Sequence, residues 1–168
     1  MNRPLIIGVM GGGRVSDQVR SDAYILGSLI AKQGWILLNG GRDAGVMAAS
    51  ARGAHEEGGL TIGILPDSTS QSANAHIQIP IVTGMGNARN CINVLSSDVV
   101  VACPGGMGTL SEIALALKCQ KTTLLLNFNT DTQFEHYQTA GLLKYVHSPQ
   151  EAIEQIQAIF PKAQSEPK

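Results

Sequence analysis

Short apolar runs alternate along the chain with longer amphipathic stretches. The runs are Leu5 to Met10, Trp35 to Leu38, Leu60 to Leu65, Ile77 to Val82, Asp98 to Ala102 and Thr122 to Leu126. Their mostly continuous apolar character is that of strands buried on both faces of a parallel sheet. Between them, Ala23, Leu26 and Ile30 share one face of a helix that Ser16 caps and that closes near Gly34. Gly45 to Glu57 reads as a second helix, with Ala48, Ala49, Ala51 and Ala54 allowing close packing on the sheet. Asn87 to Ser96 reads as a third. Leu110, Ile113, Ala114 and Leu117, spaced i, i+3, i+4, i+7, mark a fourth. Asp67 to His76 is polar and turn-rich, a loop or flap, and Asn127 to Gly141 a loop with a short helix. Tyr145-Val146 is a last edge strand, and Ser148-Pro149 opens a final helix with an N-cap and a proline at the first helical position.

Strands alternating with helices predict an α/β fold, a doubly wound, mainly parallel sheet with helices on both faces. Residues 1–161 form a single ligand-binding domain in this reading, and 162–168 a polar tail. Open sheets of this kind take ligands outside the carboxyl ends of the strands. Four glycine clusters fall at those ends: Gly11 to Gly13, Gly40-Gly41, Gly84 to Gly86, and Gly105 to Gly108.

The last cluster belongs to Cys103-Pro-Gly-Gly-Met-Gly-Thr-Leu-Ser-Glu112, a strand-to-helix turn. Its glycines allow a sharp turn and a close approach of ligand to main chain. The free N–H groups of the helix start, reinforced by the helix dipole, form an anion site, with phosphate as the first candidate. Thr109-x-x-Glu112 also reads as a capping box at that helix start.

Composition narrows the partners. Charged residues make up 15% and the net charge is −1, so the basic excess that non-specific nucleic-acid or membrane-surface binding requires is absent. At 4%, aromatic residues are too few for a base-stacking platform. Three cysteines without CxxC spacing, no predicted leader segment and no transmembrane run indicate a reduced, cytoplasmic protein, with Cys91 and Cys119 as buried inert thiols in helices.

The rim is no Walker A loop, since Gly-Lys-Ser/Thr does not occur, and it is a poor dinucleotide fingerprint, since Ser16 stands where the third glycine belongs. The four histidines lack metal-ligand spacing, and no metal ligand is assigned. Arg89, after Gly86, offers a bidentate grip on phosphate or carboxylate. Glu112 offers a general acid or base, or a partner for a ligand's amino group. Arg14 and Arg42 follow the first two glycine turns and can add positive potential.

Gly40-Gly41-x-x-x-Gly45-Val-Met47, then Arg89, then Pro104-Gly-Gly-x-Gly-Thr-x-x-Glu112 resembles the "lonely guy" family, lysine-decarboxylase-like proteins of the SLOG type. The resemblance covers roughly residues 5 to 160. It implies a Rossmann-like fold and homo-oligomers. Many members are cytokinin riboside 5′-monophosphate phosphoribohydrolases, in which the motif glycines and threonine bind phosphate and the residues matching Arg89 and Glu112 act at the N-glycosidic bond. Those enzymes carry Arg-Lys where this chain has Arg89-Asn90, and an acidic residue where it has Ser111. The first-strand glycines, Thr83-Gly-Met-Gly-x-Ala-Arg-Asn90 and Gly108-Thr-Leu-Ser-Glu112 are most similar to a shorter subgroup that includes molybdenum cofactor carriers. That likeness implies a cytoplasmic carrier of a pterin ending in a phosphate, with molybdoenzymes as acceptors. The residues expected at the ligand are Gly11, Gly12, Gly40, Gly41, Arg89, Asn90, Gly105, Gly106, Met107, Gly108, Thr109 and Glu112. The apolar helices around residues 45–57 and 110–119 predict a dimer or tetramer with sites near the subunit boundary.

Overall fold

Seven strands, all parallel, form one sheet in a computed structural model that describes residues 3–130 and 134–161. They are β1 (Ile6–Met10), β2 (Ile36–Asn39), β3 (Thr61–Leu65), β4 (Ile79–Val82), β5 (Val99–Ala102), β6 (Thr122–Leu126) and β7 (Leu143–Val146), in the order β4-β3-β2-β1-β5-β6-β7. The helices are α1 (Asp17–Lys32), α2 (Gly45–Glu56), α3 (Asn90–Ser96), α4 (Met107–Lys118), α5 (Glu135–Thr139) and α6 (Pro149–Ile159). The expected tail 162–168 lies outside the described residues. The chain steps outward from β1 to β4, returns through α3 to β5 beside β1, and then steps outward the other way. The boundary between β1 and β5 is therefore the switch point at which this class of sheet binds ligands.

Alternate side chains of each strand point to opposite faces, which divides the core. On one side Ile7, Val9, Leu37, Val99, Val101 and Leu124 pack under Leu26 and Ile30 of α1, Val46 of α2 and Ile153 and Ile156 of α6. On the other, Met10, Leu38, Ile64 and Val100 meet Val94 of α3 and Ala116 of α4, and Leu125 and Leu143 meet Ile113, Leu117 and Phe134. Burial of each large side chain contributes about 1.5–3 kcal/mol before entropy is counted. Helices therefore cover both faces, as the alternation of elements requires.

Two glycines let α1 and α2 touch backbone to backbone. A Cβ on Gly27 would fall on the carbonyl of Ser50, and one on Gly53 on the carbonyl of Tyr24. Ser16 and Ser148 cap α1 and α6 by accepting from the N–H groups of Val19 at 3.4 Å and Glu151 at 3.1 Å. The loop after β3 folds back on the rim: Asn74 N–H donates to Gly41 O at 2.8 Å, and Arg42 pairs with Asp67 at 3.1 Å.

Several boundaries differ from the sequence reading. The third helix opens with a 3-10 turn over Gly86–Arg89, because Gly86 adopts a positive φ of 53°, and its α-helical part begins at Asn90. β4 starts at Ile79, since Thr61 engages the preceding residues by donating its hydroxyl to His76 O and accepting from Gln78 N. β7 begins at Leu143 rather than Tyr145. Cys91 and Cys119 are only half-buried; the fully enclosed thiol is Cys103, at the end of β5, whose pKa burial pushes up to about 12.

Asp98, just ahead of β5, ties the two central strands at their amino ends. Its carboxylate accepts from the Arg3 guanidinium at 2.7 and 2.8 Å and from Ile6 N at 2.8 Å, and these bonds, the Arg3 bond foremost, hold its pKa below the usual carboxylate range. A depressed carboxylate stabilises the fold above its unfolded pKa of about 3.9 and loses that contribution as pH falls through the folded value. Asp98→Asn is expected to lower stability by about 1 kcal/mol at neutral pH, the scale of a charge-assisted bond to a partly exposed arginine. Melting temperatures of the two proteins across pH should converge in acid; a difference that persists below pH ~2 would contradict the assignment.

Candidate functional site

Three turns converge at the switch point. Gly12, after β1, donates its N–H to Pro104 O at 3.0 Å, and its own carbonyl accepts from Val46 N at 3.0 Å at the start of α2. A Cβ on Gly12 would sit 3.1 Å from the Cα of Gly105, and one on Gly105 would sit 2.7 Å from Gly12 N. A Cβ on Gly11 would strike the side chain of Val46. These glycines exist for contact between chain segments. Gly106 and Gly108 are different, since a Cβ on either would meet nothing within 4 Å.

The helix start beyond Gly105 departs from the capping box. Helix α4 begins at Met107 with Gly106 as its N-cap, and no side chain caps it. Thr109 is already the third helical residue, buried against Gly105, and Glu112 faces inward rather than back along the helix. Leu110 N–H, bonded to Gly106 O at 3.0 Å, begins the helical ladder. The amides ahead of it have no place in that ladder and are available to an anion, with the helix dipole behind them.

A cleft of about 200 Å³ opens here, bounded by the first glycine turn, Gly40, the joint of the 3-10 turn with α3, and the start of α4. Of the residues expected at a ligand, Gly11, Gly12, Gly40, Arg89, Asn90, Gly106, Gly108, Thr109 and Glu112 line it. Three do not. Gly41 lies under the returning loop with φ 74°, Gly105 is enclosed between Gly12 and Thr109, and Met107 points outward, 79% exposed. Sequence reasoning missed Met47 and Asn87, which also line the cleft. Asn87 stands two residues before Arg89, and the irregular turn that brings it in has no periodic signature. Arg14 is exposed and away from the cleft lining, and Arg42 is held by Asp67.

Arg89 lies flat against Gly40, where any Cβ would collide with its guanidinium. Its Nη1 is buried without a hydrogen-bond partner. Burial pulls its pKa below the usual value, Glu112 and Asp67 pull it back up, and Arg42 adds to the lowering. Arginine stays charged at any accessible pH. Glu112 is only 6% exposed and accepts one bond, from Asn93 Nδ2 at 2.8 Å. Burial raises its pKa above the ordinary carboxylate value, against the opposing effects of Asn93 and Arg89. Asn93 is itself wholly buried on α3, its Oδ1 unpaired. Among the described residues Arg89 and Glu112 form no ion pair within 4.0 Å, so each keeps hydrogen-bonding capacity free.

Asn90 Nδ2 donates to Ser111 Oγ at 3.0 Å, and Ser111 Oγ donates to Gly108 O at 2.7 Å. The two positions at which the sequence departs from the phosphoribohydrolase pattern thus face one another, as a neutral pair beside the glycine start of α4. A wider cleft of about 760 Å³ adjoins across Gly13, walled by Arg20, Tyr24 and Arg52. Its charges are already engaged: Arg52 stacks on Tyr24 and reaches Glu56, which also binds the Tyr24 hydroxyl, and Arg20 approaches Asp17. The smaller cleft, where unused polar groups converge, is the candidate site. Among the described residues no group of three or more His, Cys, Asp or Glu is placed to hold a metal ion.

Comparison with known proteins agrees with this fold. The chain superposes on the molybdenum cofactor binding protein of the phototrophic bacterium Rippkaea orientalis with a TM-score of 0.89 and 49% identity, covering 95% of this chain and 99% of that one. The molybdenum cofactor carrier protein of Chlamydomonas reinhardtii superposes at 0.86 with 41% identity, covering 95% and 100%. A cytokinin riboside 5′-monophosphate phosphoribohydrolase of Mycobacterium tuberculosis is 36% identical over 90 residues, which are 52% of this chain and 48% of the enzyme, so the match spans about half of that protein. The family profile itself matches residues 4–153, nearly the whole of the described fold, and the chain belongs to the SLOG cluster4 family.

Proposed function

We propose that this protein binds molybdenum cofactor as cargo and carries it to molybdoenzymes. One observation carries the reading: an uncapped glycine helix start shares a cleft with Arg89 and Glu112, whose hydrogen-bonding capacity the protein leaves largely unused. A ligand with a phosphate at one end and a polar heterocycle at the other fits that combination. The amides around Gly106, Gly108 and Thr109 hold the phosphate, and Arg89 and Glu112 face the remainder. Likeness along almost the full chain to the two proteins named for molybdenum cofactor supports the choice of cargo.

The alternative is hydrolysis of a nucleoside 5′-monophosphate, and the joint presence of Arg89 and Glu112 in the cleft favours it. The Asn90–Ser111 pair weighs against it. An asparagine where the enzymes carry a lysine removes a positive charge from the place where a transition state would need it. A carrier needs only ground-state binding, whereas an enzyme must bind the transition state more tightly than the substrate.

The protein works as a homo-oligomer in this reading, a dimer or tetramer in the cytoplasm. The apolar surface that supports self-association differs from the one expected. Helix α2 turns Arg52, His55 and Glu56 to solvent, while Ile79, Ile81 and Val82 of the edge strand β4, with Met85, Leu95 and Met107, are exposed. No described helix is long and apolar enough to cross a membrane.

Four outcomes are expected. Protein purified from its own cells should retain cofactor on gel filtration, with free base released from adenosine 5′-monophosphate far more slowly than the ~1 per second at the low end of enzyme turnover. Gly106→Val should fold normally and lose at least about tenfold in phosphate affinity, since its side chain projects into open cleft, whereas Gly105→Val should cost ~1–3 kcal/mol of stability by overpacking. Sedimentation at micromolar concentration should show a dimer or larger; a monomer would refute the assembly. Glu112→Gln should melt higher than the parent protein at pH 7. The folded pKa of Glu112 is raised, so its ionised form opposes folding, and the advantage of the variant should vanish as the pH drops below the unfolded carboxylate range near ~4.3.

A further inference from the structure

We propose that Arg89 and Glu112, with Asn93 positioning the carboxylate, form a reader for the 2-amino-4-oxopyrimidine edge that pterins share with guanine. The inference rests on the reading above, that this cleft takes a phosphorylated heterocycle, and adds which edge of the ring is recognised.

Donors and acceptors on the residues lining this cleft stay unused within the protein. A carboxylate offers about four acceptor positions. Glu112, only 6% exposed, uses one of them on Asn93 Nδ2, and the residue borders the cleft. Arg89 has five donors, and its buried Nη1 meets no acceptor in the protein. An empty buried donor and an under-used buried acceptor, on two residues that line one cleft, call for a ligand with the opposite pattern. That pattern is two adjacent N–H donors for the carboxylate and a carbonyl oxygen for the guanidinium.

The 2-amino-4-oxopyrimidine edge has this order: an amino group, a ring N–H, then a carbonyl. An adenine edge does not. It presents an amino group beside a ring nitrogen lone pair, which a carboxylate would repel, and it has no carbonyl for Arg89. Discrimination of this kind is strong because the wrong ring leaves buried polar groups unpaired.

Asn93 acts through Glu112 and does not border the cleft. Its Nδ2 fixes one carboxylate oxygen at 2.8 Å, while Ser97 Oγ, donating to Asn93 O at 2.7 Å, fixes Asn93 on the turn below. Ser97 is in turn set against Gly8 of β1, where a Cβ would strike its hydroxyl. The orientation of the carboxylate is therefore anchored to the central strand. The charged and polar groups acting on Glu112 are Asn93 and Arg89, and Arg89 is in turn influenced by Asp67 and Arg42 from the loop side.

The test is calorimetric binding of guanosine 5′-monophosphate, adenosine 5′-monophosphate and ribose 5-phosphate, with circular dichroism to verify folding. The parent protein should prefer the guanine nucleotide by about tenfold or more. Their common phosphate cancels in the ratio, so the preference isolates the ring edge. Glu112→Gln should bring that ratio close to one. Asn93→Leu, which keeps the shape but cannot donate, should lower it, and acidification should abolish the preference at a higher pH than in the parent, because the carboxylate has lost the donor that favours its charged form. A merely structural role for Asn93 would lower melting temperature without moving that pH midpoint, and would overturn its part. Equal affinity for the two nucleotides in the parent, or an unchanged ratio in Glu112→Gln, would overturn the reader as a whole. Guanine preference without ribose 5-phosphate binding would leave the reader standing and refute the phosphate cradle instead.

Discussion

The structure depends on a backbone meeting point at Gly12. Here the turn after β1 touches the turn after β5 and the start of α2, through the bonds to Pro104 O and from Val46 N and through contacts that leave no room for a Cβ on Gly12, Gly45 or Gly105. Three segments remote in sequence are thereby brought within one residue of each other at the switch point of the sheet. The position of the α4 helix start relative to Arg89 follows from that contact, and with it the cleft. Glycine is required because only a chain without side chains can be approached from several directions at once.

The fold was legible because its signals are local and redundant. Apolar runs of strand length, glycine clusters at the ends of β1, β2, β4 and β5 and serine caps at α1 and α6 all point one way, and the structure has the doubly wound parallel sheet they predict. The site was legible in part. The glycines were correctly placed at one rim, but a sequence shows only that a residue is glycine, not why. Gly105 and Gly106 are neighbours and look alike, yet the first is filled by Thr109 and Gly12 and the second faces open space. The capping-box reading of Thr109 and Glu112 differs from the structure for a similar reason. Thr-x-x-Glu fits a capping box, but the helix starts at Met107, ahead of the threonine, and the side chain is thereby turned toward Asn93. Asn93 carried no signal at all, because a buried asparagine in a helix is conspicuous only once its partner is known.

The same arrangement shows how binding and cleavage can be separated on one scaffold. In the proposed reading the phosphate is held by main-chain amides, which any sequence with those glycines supplies. The chemistry beyond the phosphate is set by few side chains on α3 and α4, and here the pair at Asn90 and Ser111 is neutral. Changing what such a site does to its ligand needs substitutions at these positions and no change of backbone, and the chain is similar to proteins named for each kind of function.

The glycine notch between α1 and α2 has a consequence in genetic terms. Neither Gly27 nor Gly53 borders the cleft, yet they set how closely α2 lies on α1. Helix α2 begins at Gly45, which rests on Gly12. An added methyl at the notch would pry α2 outward and carry that displacement along a rigid helix to the meeting point of the turns. Loss-of-function alleles should therefore arise at a helix crossing that touches no ligand, with a phenotype of weakened cargo retention in a protein that still accumulates in the cell.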